Sequence, residues 1–181
     1  MMMRILIFLV CFPAIAEAQD VDKKSFCKDL NKIVTVFSQS ADSLKGKFNG
    51  ENTLGVQQWE AKYSLSGAGV KFYEHTFLET SEEYRATYIM MENKQKEEAE
   101  DSYKQIVAAV RWCYGVDYFL NEQVTTEWDN SGKKHQHHEA TFTYAGITDK
   151  GVVMPVMLVR SFSIESGLYS VTFELYTISS Q

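Results

Sequence analysis

Residues 168–177 read LYSVTFELYT. In them Tyr169, Val171, Phe173 and Leu175 occupy one parity, and Ser170, Thr172, Glu174 and Tyr176 the other. Successive side chains of an extended strand point to opposite faces, so such a run has one apolar face and one more polar one. The same period recurs in WEAKYSL, where Trp59, Ala61, Tyr63 and Leu65 alternate with Glu60, Lys62 and Ser64. Strands patterned this way pair antiparallel, with one face of the sheet packed and the other left toward water. This alternation constrains the fold more than any other feature of the chain.

Further strand-like runs are VKFYEHTF, with Val70 and Phe72 against Tyr73 and Phe77, and YRATYIMM, with Tyr84, Ala86, Tyr88 and Met90 on one side. Another is expected around residues 123–129. A sixth spans 138–144, with Ala140, Phe142 and Tyr144 on one parity. VVMPVMLVRSFSI is apolar on both parities, and Pro155 within it places that strand at an edge or at a bulge. ESG at residues 165–167 joins the last two runs as a tight hairpin.

Two segments carry the helical period instead. From Asp22, Phe26, Leu30, Ile33, Phe37, Ala41 and Leu44 recur at three- and four-residue spacing. Asp22 is a fitting N-cap. Residues 93–114 repeat the pattern through Ala99, Tyr103, Ile106, Val107, Val110, Cys113 and Tyr114, and Gly115 is placed to end the helix. KGKFNGENTLGVQQ, residues 45–58, has no period and reads as a polar connector.

The expected fold class is therefore α+β: an antiparallel sheet of about seven strands with two helices on one face, in the order α-β3-α-β4. That order looks like two tandem α-plus-sheet units. It is similar to the element order of tandem-repeat inhibitor proteins of the β-lactamase-inhibitor type, and of cystatin-like and secretion-chaperone-like folds. The likeness is one of element order alone and assigns no residue a role.

The N-terminus reads MMMRILIFLVCFPAIAEAQD. A basic residue, a short apolar run and Ala16-Glu17-Ala18 form the pattern of a cleaved signal peptide. The run is shorter than the roughly 20 residues that span a bilayer. Cleavage is expected near Ala18, giving a signal peptide over 1–18 and a single α+β domain over 19–181, secreted or periplasmic. Lipidation at Cys11 is the less fitting alternative, because Val10 stands where a small residue is wanted. No later segment is apolar enough to be a transmembrane helix. Export with two remaining cysteines argues for a disulfide between Cys27 and Cys113.

Cleavage removes one base, Arg4, and one acid, Glu17, so the net charge stays at −6. That balance disfavours nucleic acid and anionic lipid as partners. No nucleotide-binding glycine motif, metalloprotease helix motif, EF-hand loop or nucleophile elbow is present. No catalytic residue is assigned.

Two candidate sites emerge. SGKKHQHHEATFTY holds three of the four histidines. On a strand, His135, His137 and Glu139 share one face and could hold zinc or copper. The simpler reading is a solvated hairpin, whose neighbouring lysines repel a cation, and no cofactor. Secondly, Tyr73, His75, Trp128 and Tyr176 are expected on the open face of the sheet as a binding surface. The leading expectation is a non-enzymatic exported binding or inhibitory module. Its unknown protein or small ligand would meet the open face or the hairpin over 130–138. The alternatives are a histidine-dependent metal-binding protein and a structural component of the cell envelope.

Overall fold

Asp22 begins the first helix as its composition requires. Its carboxylate accepts from Lys24 N at 3.2 Å and from Ser25 Oγ at 2.6 Å, satisfying an otherwise orphaned backbone donor. The computed structural model describes residues 21–52, 55–128, 134–146, 153–163 and 167–180. The expected signal peptide and the hairpin at 165–167 lie wholly or largely outside these residues.

Helix α1 (Lys23–Gln39) is followed by a 3-10 turn (Ala41–Leu44) and the strands β1 (Lys45–Glu51), β2 (Gln57–Ala61), β3 (Val70–Phe77) and β4 (Ser81–Lys94). Helix α2 (Lys96–Tyr114) is followed by β5 (Tyr118–Trp128), β6 (Lys134–Tyr144), β7 (Val156–Ser163) and β8 (Tyr169–Ser180). Gly115 ends α2 at φ 54°, its N–H bonded to Arg111 O. Glu98 accepts from Gln95 N at the other end.

The strands form one eight-stranded antiparallel sheet in the order β1-β2-β3-β4-β8-β7-β6-β5. The sheet has one strand more than the alternation predicts. The addition is β1, from the segment read as a connector. It is an edge strand with five of seven residues exposed, so its backbone pairs while no hydrophobic period marks it. β7 lies between β6 and β8, so it is not an edge. Pro155 stands immediately before its first residue, where no ladder N–H is required.

Register sets which parity faces which way. Ala86 opposes Tyr73 and Leu175, and Val159 opposes Phe173 and Ala140. All of these are buried in a single core with Phe26, Leu30, Ile33, Ile106 and Val110 of the two helices. Phe26 meets Phe173 edge-on at 6.0 Å. Both helices therefore cover the same face of the sheet. Cys27 and Cys113 are joined by a disulfide, with their Cα atoms 5.4 Å apart. No helix among the described residues is long and apolar enough to cross a membrane.

Candidate functional site: the open face of the sheet

The other parity of the central strands carries the face that no helix covers among the described residues. One row across the sheet runs Gln58, Glu74, Arg85, Tyr176; the next runs Glu60, Phe72, Thr87, Glu174, Leu158; a third runs Thr172, Arg160, Glu139, Gln123. Alternation alone puts these side chains on one face. Antiparallel pairing then brings positions distant in sequence within reach of each other.

Glu174 stands at the centre. It is only 5% exposed, and a buried carboxylate requires partners. Arg85 Nη1 donates to its Oε2 at 2.6 Å and Thr172 Oγ1 to its Oε1 at 3.1 Å, while Arg160 Nη1 lies 3.8 Å from Oε1. Arg85 also reaches Glu83 with Nε at 2.8 Å and Nη2 at 2.5 Å. Arg160 Nε donates to Glu139 at 3.2 Å, and Gln123 donates to the other oxygen of Glu139 at 2.7 Å. The planar guanidinium fork lets one arginine hold two carboxylates, which a lysine could not do in fixed geometry. Burial opposes the charge of Arg85, but Glu83 and Glu174 outweigh it and raise its pKa above the usual arginine value.

This ionic band floors a groove of about 520 Å³ whose lining also includes Phe72 and Phe162. Carboxylates Glu74, Glu83, Glu139 and Glu174 outnumber the two guanidiniums, so the band carries excess negative charge. The arrangement offers fixed ionic and hydrogen-bonding groups between two apolar rings, which suits recognition of a complementary surface.

The proposed binding-surface residues do not form one surface. Tyr73 is fully buried on the helix-covered face, and His75 shares that face at 6% exposure. Of the four, Tyr176 lies on the open face, with the Arg85 guanidinium 5.4 Å from its ring. The backbone of Trp128 ends β5, and its side chain is outside the described residues. The physical reason is the parity of β3. Its odd positions oppose Tyr84 and Ala86 of the core face, and its even positions Phe72 and Glu74 face outward. His75 instead stacks on Tyr84 at 4.3 Å, with Nε2 3.3 Å from Glu82. Tyr84 donates to the same carboxylate, which together with partial burial raises its pKa to about 12.

Of the metal candidates, His137 and Glu139 share the open face as expected. His137 Nδ1 accepts from Ser163 N at 3.4 Å, and Glu139 is held by Gln123 and Arg160. The side chain of His135 lies outside the described residues. Among those residues no group of three or more histidine, cysteine or carboxylate side chains is placed to hold an ion. Residues 130–133 of the 130–138 hairpin likewise lie outside the described residues, and 134–138 belong to β6.

The residues that build the groove, Arg85, Glu174, Arg160 and Phe72, were not singled out by sequence reasoning. A signal exists: charged residues at the polar parity of otherwise core-forming strands. Only the register shows that they are neighbours. Comparison with protein families, curated proteins and solved structures finds no match to this chain.

Proposed function

We propose that this chain is an exported, non-enzymatic binding or inhibitory module that presents the open face of its sheet to a protein partner. One observation carries the reading. A sheet whose two helices sit on the same side leaves a groove on the other, and at its centre the buried Glu174 is clamped by Arg85 and flanked by Arg160. Rigid, mutually paired charges cost little conformational entropy on docking and favour a partner of matching charge pattern. The excess of carboxylates selects a partner loop carrying lysine or arginine. The disulfide fits the oxidising compartment to which the N-terminal segment would direct the chain.

The test is affinity capture from the native extracellular or periplasmic fraction, followed by binding measurements with the purified partner. Wild-type protein should bind one partner at 1:1 stoichiometry. Glu74→Lys with Phe162→Ser, which reverses a groove carboxylate and removes an apolar ring, should weaken binding at least about 100-fold, the loss expected when a central anchor and its charge are removed together. Binding unaltered by that pair of substitutions would refute the assignment to this face. Stoichiometric zinc or copper in tag-free protein, lost on His137→Ala, would replace it with the metal-binding reading.

A further inference from the structure

The two edges of the sheet are built differently. β1 is broken by two register shifts against β2 and carries Lys45, Lys47 and two glycines. Bulges and lysines are how natural sheets keep an edge from pairing with another chain. β5 has neither. Its 11 residues, YFLNEQVTTEW, include no lysine, proline or glycine and pair with β6 without a register shift. Residues 121–126 are all exposed, Val124 by 57%, and Phe119 nearer the strand's start by 71%. β5 is the last strand of the sheet, so its outer side has no strand neighbour among the described residues.

In an antiparallel strand alternate residues direct both N–H and C=O to the same side. Every second residue of β5 therefore offers a donor and an acceptor outward, at a spacing that only another extended strand matches. We propose that this strand is β5 of a second copy of the chain, paired antiparallel about a two-fold axis at Gln123, so that two eight-stranded sheets join edge to edge. A closed two-fold pair satisfies both edges at once, whereas a foreign strand would have to be found for each copy. The side chains permit it. Leu120 comes opposite Thr126 of the second copy, Asn121 opposite Thr125, Glu122 opposite Val124, and Gln123 meets Gln123. None of these is a like-charge pair, the arrangement that destabilises a ladder most directly. The net charge of −6 on each chain opposes association, so salt strengthens the pair.

Light scattering and sedimentation of the oxidised, full-length secreted protein test this. The expected result is the mass of two chains at about 100 μM protein, with a dimer that tightens between about 0.05 and 0.5 M salt. Val124→Pro and Thr125→Pro each remove one N–H, and because they are neighbours one of these points outward and the other toward β6. The outward variant should keep its thermal midpoint and become monomeric. Gln123→Lys sets two lysines opposite each other without removing a backbone donor, and should raise the dimer Kd at least about 10-fold. A monomeric wild type at both salts overturns the proposal. So does a folded outward proline variant, or Gln123→Lys, that dimerises as wild type does. A dimer abolished only by Arg160→Glu would place the contact on the open face instead.

Discussion

Glu174 shows how a single residue joins fold and site. Its parity keeps it out of the core that Phe173 and Leu175 enter, yet the neighbouring strands bury it. Arg85→Met removes its closest charged partner and leaves Arg160 at 3.8 Å and the Thr172 hydroxyl. Urea unfolding should show a loss of about 3–5 kcal/mol, the range for a buried carboxylate losing its ion pair. Adding Glu174→Met should recover much of that loss, since well-packed apolar replacements of a buried pair are often neutral. The tyrosines make a second prediction. Burial, with Tyr144 and Asp117 nearby, pushes Tyr118 up to about 12, and the hydrogen bond to Glu82 does the same for Tyr84. A phenol whose folded pKa lies above the ordinary 10.0 stabilises the fold below that value and loses the contribution as pH rises toward the folded value. Stability measured against pH should therefore be flat from neutrality to about 10 and fall between about 10 and 12. Absorbance at the phenolate band should show these two rings titrating late.

At the scale of elements, the helices were legible and the sheet edges were not. The 3.6-residue period of residues 26–44 and 99–114 reports burial of one helix face, and Asp22 and Gly115 mark observed ends, but α1 stops at Gln39, five residues before Leu44, and residues 41–44 form a 3-10 turn that still buries Leu44. Gly115 sits at φ 54°, ψ −116°, and a Cβ there would meet nothing within 4 Å. Gly115→Ala should therefore cost about 1–3 kcal/mol of unfolding free energy through backbone strain alone, with no clash to relieve. Asp22→Ala should lower the thermal midpoint measurably. The Asp22 carboxyl is held below its ordinary pKa by Ser25 and the Lys24 N–H, so its contribution is present above about 3.8 and fades as pH falls. β1 left no trace in the sequence because neither of its faces is buried, and the β-signal is a signal of one-sided burial. β5 begins five residues before the run expected around 123–129, because Tyr118, Phe119 and Leu120 are consecutive apolar residues and carry no alternation.

For the whole molecule, the Cys27–Cys113 disulfide closes a separation of 86 residues and ties α1 to α2 over the core. The joint substitution Cys27→Ala/Cys113→Ala should destabilise the fold by about 4.6 kcal/mol in calorimetry, the chain-entropy value for a loop of that length. The sheet itself closes late in sequence terms, since β4 must find β8 across the intervening helix and three strands.

That division separates what the chain declares from what it withholds. Period and parity are local properties, set by the direction in which consecutive side chains point. They determined the α+β class, the two helices, the inward faces of β4 and β8, and the cysteine pair. Register between strands is not local. Which strand lies beside which, and how far each slides, is decided by the packing of the assembled core. Only the tertiary structure therefore could set Arg85 and Arg160 around Glu174, turn Tyr73 and His75 inward, and leave β5 as the last strand of the sheet.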